Sequence, residues 1–274
     1  MPPFERRGSK AEQPPIEVDW PKVMEDLLNI PGEQLAAYSR FRRQLSLGNQ
    51  ALLMSQGLLE PFNTYRGWGE LGRQVKRGAK AKAILRPIQV KNHNAKSEDD
   101  PETFTKFKLV HSEFGVSDTE GDDLPEYEPL DDWRIETALG RLAITEVPYQ
   151  SLDGNSQGHS FGRNIAINPL AAYPFKTRLH EIAHVELGHT TKDEQPEDVP
   201  HARGHKEFEA EATAVFTIKK IGASALTLMN ESASRNYVQG WLKDEKPTDR
   251  SIQRVFSTSD RIYKAGLPEE VTSE

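Results

Sequence analysis

The sequence predicts an α+β protein of two domains, a mixed domain over residues 18–125 followed by a second over residues 126–274 built around a metal-bearing helix. Three observations lead there. Apolar residues recur at helical spacing between Asp19 and Gln56, and from Phe62 the chain changes to short runs punctuated by glycine that read as strands. Further on, the stretch Leu179 to His189 carries His180 and His184 four residues apart with Glu181 beside the first. A chain of 274 residues accommodates about two domains.

Taken in order, residues 1–17 hold Pro, Gly, Lys and Glu without periodicity and read as a disordered lead-in. Asp19 caps a helix through Trp20, Val23, Met24, Leu27 and Leu28, which Pro31 ends. A second helix is predicted from Glu33 to Leu45 and a third from Ser46 to Gln56, with Gly57 after it. The run Ala81 to Val90 alternates Lys82, Ile84, Arg86, Ile88 and Val90 as a strand, with Phe104 to Phe114 as its partner. The acidic, proline-containing stretch Asp122 to Asp132 is the expected linker. Trp133 to Leu142 reads as a helix, Ile144 to Val147 as a strand, and Gly158 to Pro169 as a hairpin whose last strand, Asn164 to Asn168, is the expected sheet edge before the histidine helix.

Composition narrows the chemistry. Cysteine is absent, which excludes disulfides, thiolate metal ligands and a cysteine nucleophile. No run of eighteen apolar residues occurs and the N-terminus lacks the apolar core of a signal peptide, so the expectation is a cytoplasmic protein without a membrane partner. The net charge of −7 argues against a protein that coats nucleic acid over its whole surface. Locally the balance reverses: between Arg66 and Arg86, seven basic side chains meet a single acid, Glu70. Tyr65 and Trp68 interleave with Arg66, Arg73, Lys76, Arg77, Lys80 and Lys82, the ingredients of a single-strand groove in which bases stack and phosphates are neutralised. The same residues also fit a solvated set of strand edges.

In a helix, His180 and His184 share one face and Glu181 flanks them, so two imidazoles can hold a metal while the carboxylate acts as general base. This arrangement resembles the zincins, in which an edge strand beside the metal pairs with an extended peptide. A metzincin needs His at position 190 and Gly at 187, where this chain has Thr190 and Leu187; that branch is excluded. His189, directly after Gly188, reads as a helix-end residue. Glu207 and Glu211 lie four apart within the helical stretch Lys206 to Phe216, so one can bind metal while the other fixes a ligand histidine. The resemblance to gluzincins implies Glu207 as the third ligand and Glu211 behind it. Gly204-His205 is similar to the SprT-type DNA-associated proteases, which leaves His205 as the alternative ligand. The implied cofactor is Zn2+, one per chain, with another divalent transition metal as the alternative.

Longer blocks carry a more specific resemblance. Ser46, Asn49-Gln50, Leu52-Leu53 and Gln56, then Tyr65-Arg66-Gly67-Trp68, Gly72 to Gly78 and Ile84-Leu85-Arg86-Pro87, resemble the N-terminal domain of the ArdC-type antirestriction proteins. Val116 to Gly121 resembles its end, the Glu207 to Glu211 segment has a family counterpart, and Tyr237 with Trp241-Leu242 resembles a segment at the start of the C-terminal helices. The chain departs at Ala79-Lys80-Ala81, where the family more often has Glu-Lys-Gly, and Asn92 to Thr103 is its own insertion. The resemblance implies a domain that binds single-stranded DNA, a following zincin-like metallopeptidase domain with a protein or peptide substrate, and protection of incoming mobile-element or phage DNA. Two further readings stay open: a DNA-binding protein with a structural metal, and a protease acting on DNA-bound proteins.

Overall fold

The computed structural model describes residues 18–91, 103–129, 131–150, 156–191, 200–244 and 247–269. The lead-in of residues 1–17 and most of the insertion after Lys91 lie outside the described residues. Asp19 accepts from the Lys22 amide at 3.1 Å and opens α1 (Trp20–Asn29), with Pro21 in the first turn and Val23, Met24, Leu27 and Leu28 buried along one face. α2 (Gly32–Tyr38) is shorter than expected. The chain leaves the helix at Ser39, whose hydroxyl bonds back to the Leu35 carbonyl, and the arginines that follow are held in turns by distant partners. Arg42 pairs with Glu113 at 3.3 Å, and Arg43 grips Asp132 through two bonds of 2.8 and 2.9 Å. Those tertiary ion pairs override a helical period that would have run on to Leu45. α3 (Leu47–Ser55) begins as the sequence predicts, capped by Ser46.

The strands that follow form two small sheets. β1 (Phe62–Thr64) leads into α4 (Tyr65–Glu70) and β2 (Arg73–Val75); the long pair β3 (Lys82–Lys91) and β4 (Thr103–Gly115) comes next, then β5 (Thr119–Gly121). The sheet order is β1-β4-β3, all antiparallel, with Ile84 opposite Val110 and Arg86 opposite Lys108. β2 and β5 make a separate two-stranded ribbon. The expected linker is docked: Arg40 donates to the Pro125 carbonyl, and Asp132 is the Arg43 partner.

In the second half α5 (Ile135–Arg141) precedes β6 (Thr145–Glu146), β7 (Gly158–Phe161) and β8 (Asn164–Ile167). Their order is β6-β8-β7, which corrects the expected edge. β6 pairs in parallel with β8 and covers its outer side, so β8 is central and the two edges are β6 and β7. Five helices complete the described chain: α6 (Pro174–Glu186), α7 (Pro200–Ile221), α8 (Ala223–Leu226), α9 (Glu231–Asp244) and α10 (Asp249–Gly266). No described helix is long and apolar enough to cross a membrane.

α7 is buried on every side from Phe208 to Ile221, as a central helix must be. One face, Ala210, Ala214, Ile218 and Ile221, packs with Leu179, Ile182, Ala183, Ile165 and Ile262. The other, Phe208, Ala212, Val215 and Phe216, packs with Met24, Leu27, Leu28, Leu35 and Leu53 from the first three helices, together with Val255 and Phe256. The second of these clusters thus draws side chains from both sides of the boundary expected near residue 125. Buried lysines fasten the same junction. Lys219 donates to the carbonyls of Leu28 and Ile30 at the end of α1, each at 2.7 Å, and Lys220 pairs with Asp260 at 2.5 Å while Asp260 accepts the Leu47 amide at the start of α3.

Candidate metal centre

α6 is anchored by buried Leu179, Ile182, Ala183 and Val185, which turns His180 and His184 toward α7. Their Nε2 atoms lie 3.1 Å apart. Glu207, on α7, brings Oε2 to 3.3 Å from His180 Nε2 and Oε1 to 3.6 Å from His184 Nε2. These three residues form the group of possible metal donors found among the described residues. Bonds of 2.0–2.1 Å place the corners of a tetrahedral site about 3.3–3.4 Å apart, so the three atoms already sit close to the spacing a divalent transition metal requires. Two imidazoles and a carboxylate are also a suitable donor set for such an ion. The donors fit the metal that the motif implies.

Around this triangle the charges are paired. His180 Nδ1 meets Glu211 Oε2 at 3.2 Å, and Lys176 Nζ reaches the same oxygen at 2.7 Å. Burial opposes a charged His180, but its bonds to Glu207 and Glu211 outweigh burial and push it up to about 9. Burial likewise works against an ionised Glu211, yet His180 and Lys176 hold it down to about 2. His180 and His184 keep Glu207 well below the usual carboxylate range. Glu211 thus lies against the nitrogen of His180 that faces away from Glu207. His205 does not join the donors; its ring packs against Phe208, 6.1 Å between centroids.

One feature of the centre was not legible beforehand. Gly188, at φ 78°, ends α6 and lets the chain turn back, so that the His189 amide donates to the His184 carbonyl at 2.9 Å. The His189 ring then lies against His184, Nδ1 to Nδ1 at 3.0 Å, with its Nε2 3.0 Å from Glu209 Oε2. Burial pushes the His189 imidazole down despite Glu209, while Glu209, which burial would raise, is held low by His189 and Ser251. Nothing in the sequence singles out Glu209 from its neighbours Glu207 and Glu211.

The triangle opens into a cavity of about 580 Å3, whose opposite wall is β7 through Gly158, His159 and Ser160. Glu181 lines it too and is 6% exposed. β7 approaches α6 so closely that a Cβ on Gly158 would stand 2.9 Å from Thr177 Cγ2 and 3.2 Å from Glu181 Oε1, so only glycine leaves that carboxylate its room.

The expected nucleic-acid residues divide. Tyr65 is 61% exposed, and Arg66, Lys76, Arg77 and Lys80 are exposed near it in the chain. Arg66 pairs with Glu70 on its own helix, and Lys76 donates to the Ser117 carbonyl at 2.9 Å. Arg73 binds the Thr119 hydroxyl and the Asp122 carbonyl, tying β2 to β5, and Lys82 is half-buried where β3 begins. Trp68 corrects the expectation of a stacking platform. It is fully buried, its indole nitrogen donates to the Phe114 carbonyl at 2.9 Å, and its ring meets Phe41 edge-on. Neither face of that ring is free for a base.

No family model and no curated protein matches the sequence. Among solved structures the fold is similar to the metal-free antirestriction ArdC protein from the R388 plasmid, with 16% identity, 90% of this chain and 97% of that chain covered, and a TM-score of 0.48. It is similar also to the Mn(II)-bound structure of that protein, with 16% identity, 91% and 97% covered, and a TM-score of 0.49. Both are of the antirestriction type that the blocks between Ser46 and Pro87 resemble.

Proposed function

We propose that the chain is a metal-dependent peptidase of zincin type, loaded with Zn2+ or a similar divalent ion, that also binds single-stranded DNA. The observation that carries this reading is the triangle of His180, His184 and Glu207 with Glu181 beside it, open to a cavity walled by an edge strand. A bound divalent metal would supply Lewis-acid activation of water and of a carbonyl oxygen. The chain's own groups supply the rest. Glu181 takes a proton from the attacking water and returns it to the leaving amine. β7 offers its backbone to an extended peptide, which fixes the scissile bond over the site. Glu211 and Lys176 hold His180 in place for the ion. Glu181, placed in an open cleft, favours catalysis over a purely structural metal, since a structural site has no use for a flanking general base. The orientation of His205 speaks for the Glu207 set over the SprT-like one.

DNA binding falls to Tyr65 with the exposed cations Arg66, Lys76, Arg77 and Lys80, a stacking ring beside phosphate-neutralising charge. The protective role toward incoming DNA rests on the sequence blocks that resemble ArdC-type proteins. Metal analysis and proteolysis with and without single-stranded DNA test the whole reading. Wild type should hold about one ion per chain; His180→Ala and Glu207→Ala should lose it, His205→Ala should keep it, and Glu181→Gln should keep the ion while losing peptide cleavage. Full metal retention in Glu207→Ala with loss in His205→Ala would move the site to the SprT-like set. Undiminished cleavage by Glu181→Gln would remove the general base.

A further inference from the structure

We propose that His189 and Glu209 act as a hydrogen-bonded pair that orients His184 for the metal, so that α10 controls one ligand of the centre. The inference rests on the metal reading of His180, His184 and Glu207. A ligand imidazole must present an unprotonated nitrogen, and for His184 this is Nε2, which faces His180 and Glu207. Its proton therefore resides on Nδ1 and is donated to His189 Nδ1 at 3.0 Å. That makes His189 Nδ1 an acceptor and puts its own proton on Nε2, where the Glu209 carboxylate accepts it at 3.0 Å. One assignment at the metal thus dictates the tautomer of both rings.

The far end of the chain of bonds is firmly tied. Glu209 Oε1 accepts from the Ser251 hydroxyl at 2.7 Å, and Arg254 Nη1 stands 3.5 Å from Oε2 while its Nη2 donates to the Leu187 carbonyl at 2.6 Å. Ser251 and Arg254 both belong to α10. His189 and Glu209 side chains are 6% and 4% exposed, so water does not compete for these bonds. His189 touches the outer nitrogen of His184 and so cannot itself reach an ion held at Nε2. Glu209 is two residues from Glu207 and from Glu211, about 200° around the helix, which sends it away from the ion. The two ligand histidines are therefore held by different carboxylates of one helix: His180 by Glu211, His184 through His189 by Glu209.

The test uses the full chain, stripped of metal and titrated with Zn2+ against a chromophoric chelator, and with Co2+ followed by its visible absorption. His189→Ala and Glu209→Leu should each weaken Zn2+ binding about 10–100-fold and alter the Co2+ spectrum. The double variant should be no weaker than the weaker single one, because both break the same chain of bonds. His189→Asn, whose side-chain oxygen can still accept from His184, should recover most of the loss suffered by His189→Ala. If wild type takes up no Zn2+ or Co2+, the metal reading itself fails. If wild type binds and both single variants stay within twofold with its spectrum, the pair has no hold on His184 and the proposal is overturned. Losses that add in the double variant overturn it as well. Melting curves accompany each titration, and should His189→Ala fail to fold, Glu209→Leu, which removes the acceptor, compared with His189→Asn, which keeps one, decides the matter.

Discussion

Trp68 and Tyr65 lie three residues apart in one short helix, and their surroundings give them opposite duties. Trp68 is fully buried against Phe41 and bonded to the Phe114 carbonyl. Truncation to Ala removes an indole from a closed site, worth about 3–5 kcal/mol. It also leaves the Phe114 carbonyl without its donor, worth a further 1–3 kcal/mol or so. Together about 4–8 kcal/mol is at stake, which for a chain of this size lowers the melting temperature by roughly 10–25 °C. The informative variant is Trp68→Phe, which keeps most of the ring and loses the bond; folded, it should bind single-stranded DNA within twofold of wild type. Tyr65→Ala should do the reverse. Stability should stay within about 0.5 kcal/mol, because the side chain is exposed. Affinity for an oligothymidine should fall by about 1–3 kcal/mol with an unchanged salt slope, because stacking releases no counterions. Differential scanning fluorimetry and fluorescence anisotropy at several salt concentrations read both quantities on the same samples. A folded Trp68→Phe variant with a large loss of affinity would place Trp68 at the DNA, and a Tyr65→Ala variant with wild-type affinity would remove the stacking role.

Two further outcomes follow from the centre and from the shared core. Without metal, His180 is raised from 6.5 to about 9, so its protonation stabilises the fold fully below pH 6.5 and that contribution is lost as pH climbs through 9. A metal must displace the same proton, so apparent affinity should rise about tenfold per pH unit up to that range; chelator competition at pH 6.5, 7.5 and 8.5 measures it, and a flat profile would refute the proton's place on His180. A chain ended at residue 125 would expose Met24, Leu27, Leu35 and Leu53, which now cover Phe208 and Phe216. Such a fragment should lack a cooperative melt, and Phe208→Ala in the full chain should cost about 3–5 kcal/mol in a single transition; a sharply melting fragment would show that the first three helices close a core of their own.

Local order was legible in the residues because its causes are local. The cap at Asp19, the paired strands β3 and β4, and the placing of His180, Glu181 and His184 on one helix each follow from neighbours within a turn or from strict alternation. Long-range packing decided the rest. Glu207, Glu209 and Glu211 are alike in sequence, and only the seating of α7 against α6 and α10 sends the first to the Nε2 atoms of His180 and His184, the second to His189 and the third to the Nδ1 of His180. The early end of α2 depends on Glu113 and Asp132, some seventy to ninety residues away. In the sheet of the second half β7 rather than β8 is an edge, because β6 arrives from outside the hairpin to cover β8. Trp68 lies inside and Tyr65 outside because a one-turn helix has room to bury one ring under Phe41, a choice that hydrophobicity alone does not make. The first three helices share a core with α7, α9 and α10 for a similar reason. An apolar face states that it must be covered, and the tertiary fold alone selects what covers it.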